Sequence, residues 1–125
     1  MQLSALQVES ENLATLAAEA VQLLVASKFS GLAEKFGYAV AIGRHPAAAI
    51  QEDLRSSMSL PDEQLVQSAD PKVRVKYFDT NSLNLYAVAE CTLATSTGRG
   101  VLVELVVFNA GDEFHATLEQ ISAAA

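Results

Sequence analysis

Apolar residues change their spacing once along this chain. Leu13, Leu16, Ala17, Ala20, Val21 and Leu24 recur every three or four positions, the stripe of an amphipathic helix. Ser10 suits the N-cap of that helix, and Ser4 with Gln7 three positions on offers an earlier start. Phe29, Leu32, Ala33 and Phe36 predict a shorter second helix from about Ser30 to Phe36, with Gly37 just past its end. Tyr38 to Ile42 suits a short extended segment ended by Gly43 or a continued helix, and the extended form is preferred. Pro46 opens a third helix whose stripe is Ala47, Ile50, Leu54 and Met58. Ser59 to Glu63 reads as one more helical turn, and Asp70-Pro71 closes the region.

From Lys72 the period is two. Val73, Val75 and Tyr77 alternate with Arg74, Lys76 and Phe78. Leu83, Leu85, Ala87, Ala89, Cys91 and Leu93 alternate with Asn84, Tyr86, Val88, Glu90 and Thr92. Val101, Val103, Leu105 and Val107 alternate with Leu102, Glu104, Val106 and Phe108. Phe114, Ala116 and Leu118 alternate with His115, Thr117 and Glu119, and Ala123 to Ala125 read as a frayed end. The turn-rich spacers at 79–82, 95–100 and 109–113 are hairpin length, whereas parallel pairing needs crossovers of about a dozen residues or more. One strand face is nearly all apolar and the helical half is its only cover. The expectation is one α+β domain over residues 1–125, with N-terminal helices packed on a curved four-stranded antiparallel sheet.

This order of elements, carried by Val21 to Phe36, Gly43 to Met58 and the paired strands ending at Glu119, resembles the NTF2-like superfamily. Its α+β roll is related to the cystatin-like folds. The chain departs from the pattern before the third helix, where members often have a longer strand pair and only Tyr38 to Ile42 is available. The resemblance implies dimerisation through the sheet and a pocket between sheet and helices. The fold hosts isomerases, dehydratases, cyclases, transport adaptors and purely dimerising proteins, so it does not fix a function.

Composition narrows the partners. Half the residues are apolar, 18% are charged, and the formal charge is −7. The Lys and Arg residues are scattered, so nucleic acid and anionic membrane surfaces are not expected partners. Cys91 is the single cysteine, which excludes an intrachain disulfide. The opening Met1-Gln2-Leu3-Ser4 lacks the positive region of a signal peptide, and no apolar run approaches about 18 residues, so the expected location is cytoplasmic.

Candidate chemistry is sparse. Tyr77, Cys91, Asn109 and Gln120 are the polar residues expected on the helix-facing side of the strands, and Tyr38, His45 and Asp53 enter from the other half. An enzyme reading would use Asp53 or His45 as base and Tyr38 or Tyr77 as hydrogen-bond donor, for proton transfer on a small apolar carbonyl compound. A filled core or merely apolar pocket weighs more than that reading, because convergent polar groups are few. His45 and His115 fall on separate elements without a cluster at ligand spacing, so no metal or other cofactor is expected. Gly98-Arg99-Gly100 lies between strands and is a turn; Gly43-Arg44 precedes a helix whose N-terminus suits an anion with Arg44 beside it, but a chain reversal before a capped helix weighs more.

The outward sheet face is the most informative surface. Tyr86, Val88, Val106 and Phe108 form an apolar patch, rimmed by charged residues, and in one register Glu90, Glu104 and Glu119 form a row. Like charges placed opposite are unfavourable, and Arg74 or Lys76 of a second copy would relieve them. The expected dimer interface is Tyr86, Val88, Glu90, Glu104, Val106, Phe108, His115 and Thr117. The leading expectation is a homodimeric binding module with room for a small apolar ligand between sheet and helices. The alternatives are an isomerase, dehydratase or cyclase, and an accessory subunit docking a different protein.

Overall fold

The computed structural model describes residues 1–58, 60–66 and 72–124. Three helices, α1 (Ser10–Val25), α2 (Phe29–Phe36) and α3 (Pro46–Ser57), precede four long or medium strands. These are β2 (Val73–Tyr77), β3 (Leu85–Ala94), β4 (Gly100–Ala110) and β5 (Glu113–Ala123), and a short β1 (Gln2–Leu3) opens the chain. The sheet order is β1-β5-β4-β3-β2 and every neighbouring pair is antiparallel. The class is α+β, with the meander in the second half as the period-two pattern predicts.

Four strands were expected and the sheet has five. The extra strand is held by its ends as much as by its pairing. Met1 and Ala116 exchange two hydrogen bonds, the amino group donating to the Ala116 carbonyl at 2.9 Å and the Ala116 N–H to the Met1 carbonyl at 2.7 Å. Leu3, 3% exposed, then joins Val8, Leu13 and Ala116 in a small cluster at that end of the sheet. Ser4 and Gln7 do form reciprocal capping bonds, at 2.9 and 3.3 Å, but they close a turn, and the helix starts at Ser10 with Glu9 before it. At the other end, Ala123 lies within β5 and the Ala124 N–H donates to the Gly100 carbonyl at 2.8 Å, so these two residues are paired rather than frayed, and Ala125 lies outside the described residues.

The segment expected to be extended from Tyr38 to Ile42 is extended at one residue. Tyr38 makes a single parallel bridge to Leu118, and turns follow at once, with Ala41 bonded to Tyr38 and Arg44 to Ala41. The turn expected after α3 is not helical either. Glu63 is buried there, and its carboxylate accepts from the Thr97 hydroxyl at 2.6 Å, tying the segment to the β3–β4 hairpin. Ser59, Asp70 and Pro71 lie outside the described residues.

The helices cover one face of the sheet. α1 runs against β2, β3 and β4, and α2 and α3 lie over β5. Leu24, Leu32, Phe36 and Ile50 meet Val101, Leu118 and Cys91 in one cluster, all within 2% of full burial. Among the described residues, these side chains pack together in the layer between sheet and helices. Among the described residues, no helix is long and apolar enough to cross a membrane.

Two bulges break the strand phase and decide which residues reach the opposite face. Between β3 and β4 the register runs Leu85 to Phe108 and then Ala87 to Val107, leaving Tyr86 as the extra residue. Between β4 and β5 it runs Glu104 to Gln120 and then Leu105 to Leu118, leaving Glu119 as the extra residue. A bulge shifts every later side chain relative to strict alternation. Tyr86 accordingly turns to the helix side, its ring 5.5 Å from Tyr77 and 4.7 Å from Phe114, and Leu85 takes the outer position. Gln120, expected inward, stands opposite Glu104 on the outer side.

Candidate functional site

Two polar arrangements stand out. The first joins residues named in advance. Tyr38 follows Gly37, whose φ of 71° suits glycine, and its bridge to β5 aims the hydroxyl toward α3. Asp53 projects from the middle of α3 to meet it and accepts the Tyr38 O–H. Arg44, in the turn between them, donates to both Asp53 oxygens, Nη1 to Oδ1 at 2.9 Å and Nη2 to Oδ2 at 3.2 Å. The same guanidinium also donates to the Val40 and Ala41 carbonyls at 2.9 and 3.3 Å. One planar cation thus fastens residues 40–44 to α3.

This geometry is poor for acid–base chemistry. The Arg44 guanidinium holds the Asp53 carboxyl below its usual range, and the Tyr38 hydrogen bond adds to that against the opposing effect of burial. Burial and the neighbouring Asp53 push the Tyr38 phenol far above its ordinary value. A useful base needs a pKa near the working pH, and here a firm anion is locked to a firm donor. The other two residues named for catalysis are elsewhere. His45 is the exposed N-cap residue of α3 and makes no side-chain capping bond. The Tyr77 hydroxyl donates to the Val8 carbonyl at 2.7 Å, on the strand at the far edge of the sheet. Tyr38 and Asp53 come together; His45 and Tyr77 join neither them nor each other. Among the described residues, no group of three His, Cys, Asp or Glu side chains is placed to hold a metal ion. Burial alone raises the Cys91 thiol, as for a cysteine serving as a small core residue.

A pH dependence follows from Asp53. Its carboxyl is depressed in the fold, so its stabilising share is present above the unfolded value of about 3.9 and lost as pH falls through the folded value. Asp53→Asn should therefore be less stable than the parent near neutral pH, with the gap closing on acidification. Urea denaturation at about pH 6 and about pH 3 measures it; an equal gap at both would show that the carboxylate charge contributes nothing.

The second arrangement is the outer face of the sheet. Arg74, Glu90, Glu104 and Gln120 stand opposite one another in one row, β2 to β5. The next row is Lys76, Val88, Val106 and Thr117. Beyond the β3 bulge, Leu85, Phe108 and His115 make a third row. Val88 and Val106 are 9% and 8% exposed although they belong to neither core cluster. They form the floor of an open groove of about 370 Å³ whose walls include Phe78, Leu85 and Lys76. Glu90, Glu104 and Glu119 close its other side.

Electrostatics in that groove are unresolved within one chain. Glu90 and Glu104 are direct cross-strand partners, and the bulge adds Glu119 beside them. Burial raises the Glu104 carboxyl above its ordinary range, and the charges of Glu90 and Glu119 raise it further. Oε2 of Glu119 is buried and has no hydrogen-bond partner among the described residues. The nearest relief is Arg74, 3.6 Å from Glu90 with a side chain 73% exposed. Of the interface residues named from sequence, Tyr86 is a correction, because its bulge turns it inward. Phe78 and Leu85 are additions: strict alternation hides Leu85, and Phe78 lies beyond the last paired residue of β2. His115 stands at one end of the face, its Nε2 3.3 Å from Glu113.

Comparison with known proteins returns no matching family, no matching curated protein and no matching solved structure.

Proposed function

We propose that this protein is a homodimeric interaction module with an NTF2-like roll, and that two copies associate through the outer faces of their sheets. The observation that carries the reading is the groove: an apolar floor with no helix over it among the described residues, lined by three carboxylates on inner strands and by Lys76 of β2, with Arg74 3.6 Å from Glu90. Apolar centres with charged rims are characteristic of association surfaces. The charges also favour a second copy as occupant. An axis along the strands and set between β3 and β4 lays β2 of one copy across β5 of the other and Val88 over Val106. Arg74 then comes over the bulge at Glu119 and Gln120, and by symmetry the same contact forms twice.

Charge also weighs against the competing mode, edge-to-edge pairing through β2. Two antiparallel β2 strands centred on Val75 would set Arg74 opposite Lys76 of the other copy, twice. The enzyme alternative lacks a comparable observation, since Asp53 and Tyr38 are tied up in the Arg44 clamp.

Sedimentation equilibrium at tens of micromolar tests the reading. A species of twice the 13.3 kDa chain mass that dissociates on dilution is expected. A single 13.3 kDa species throughout would remove the proposal.

A further inference from the structure

The dimer proposed above brings together an odd set of charges. Each copy contributes three carboxylates, Glu90, Glu104 and Glu119, and two cations, Arg74 and Lys76, to the same face. Two-fold symmetry doubles both numbers and preserves the imbalance. One carboxylate per copy is left without a cation when the faces close. Burying an unpaired carboxylate costs more than neutralising it with a proton.

We propose, resting on that dimer, that association through the sheet face is coupled to proton uptake, with Glu104 taking one proton in each copy. Glu104 is the central member of the cluster. Glu90 on β3 is its direct cross-strand partner, and Glu119 sits at the bulge on β5. Its partner on β5, Gln120, is neutral and bonds Ser122 at 2.8 Å. From β2, Arg74 is engaged first with Glu90, and Lys76 lies one row further along; across the proposed interface Glu104 meets Glu90 of the second copy, whose Arg74 lies over Glu119. Glu104's neighbours on its own strand, Val103 and Leu105, are buried in the core, so the helices' charges lie on the other side of the sheet. His115 stands four positions along the strands, opposite Phe108 and paired with Glu113. Glu119 Oε2, buried and without a hydrogen-bond partner among the described residues, offers an acceptor in the same cluster for the proton a neutral carboxyl would carry. Within the single chain the Glu104 carboxyl already lies above its ordinary range through burial and its two acidic neighbours. Closing the faces removes more water and moves it further the same way.

The sign is fixed. A carboxyl more strongly protonated in the dimer makes association tighten as pH falls and weaken as pH rises through the dimer's value. With one proton per copy, two are taken up per dimer, so the dissociation constant changes by up to about 100-fold per pH unit within the window. The titration stops above about pH 5.5, clear of the pI near 4.6 where net charge no longer opposes precipitation.

The test compares the parent with Glu104→Gln by sedimentation between about pH 7.5 and about pH 5.5. The parent should tighten by at least about tenfold across that range. Glu104→Gln should match the parent's acid-side affinity already at the upper pH and lose most of the dependence. Glu34→Gln, an equal charge change on the exposed side of α2, should retain the parent's slope, as should His115→Gln. A parent dimer indifferent to pH, or a Glu104→Gln dimer as steep as the parent, would overturn the proton coupling and leave the dimer standing. Loss of the slope in His115→Gln would transfer the coupling to the imidazole and overturn the role of Glu104. Parent and Glu104→Gln both monomeric throughout would sink the dimer, and this inference with it.

Discussion

Phe36→Ala is expected to remove about 3–5 kcal/mol of folding stability, as a lower urea midpoint with an unchanged slope. Phe36 heads the fully buried side chains by size, at 1% exposure. It is the last residue of α2, and the chain turns away immediately afterwards at Gly37. The phenyl ring is thus fixed from two sides, by its helix and by the turn that carries Tyr38 onto Leu118. Neither can follow a shrinking side chain inward without breaking the Tyr38 bridge or the Arg44 clamp. Most of the cavity should remain open, which puts the cost toward the upper part of the range for such truncations. Against a total of roughly 5–15 kcal/mol for a domain, that is a large share. A loss under about 1 kcal/mol would mean that α2 is not seated on the sheet as described.

The site that carries the functional reading was legible in the sequence to the extent that strand phase was legible. Period-two alternation puts Glu90 and Glu104 on the outer face, and with hairpin-length loops they come opposite each other. The third member arrives by a different route. Strict alternation also sends Glu119 outward, but Gln120, not Glu119, is the partner of Glu104, and Glu119 is the residue that does not fit the ladder. A bulge inserts one residue without a composition of its own, so no local signal marks it. The same device explains Tyr86, whose aromatic character suits either face and which the β3 bulge hands to Tyr77 and Phe114.

The helical half shows the other limit. Its stripes are long enough to be read, and α1, α2 and α3 fall where they predict. What they cannot reveal is pairing between distant segments. β1 is two residues long, and its partner lies more than a hundred positions away. Tyr38 is extended for a single residue because Arg44 pulls the following turn onto Asp53. From the sequence Arg44 suits a chain reversal or an anion at the start of α3; its two bonds to the Asp53 carboxylate depend on the turn, which has no periodicity to expose them.

Phe108→Glu is expected to weaken dimer formation by at least about 100-fold while leaving the monomer folded. Phe108 lies half-buried on the outer face, between Leu85 on β3 and His115 on β5, one row from the Val88–Val106 floor. The change removes apolar area worth about 1.5–3 kcal/mol when fully buried, and two-fold symmetry counts the loss twice. It also adds a carboxylate to a face that already has more carboxylates than cations. Within the monomer the substitution faces solvent, and the cost should stay near the roughly 1 kcal/mol span of strand propensities. The pairing with Phe36→Ala is what makes the result decisive. The helix-side variant should lower stability and leave association of the folded fraction intact; the outer-face variant should do the reverse. If Phe108→Glu stays dimeric, the copies meet through another surface, and the carboxylate row must be explained within a single chain.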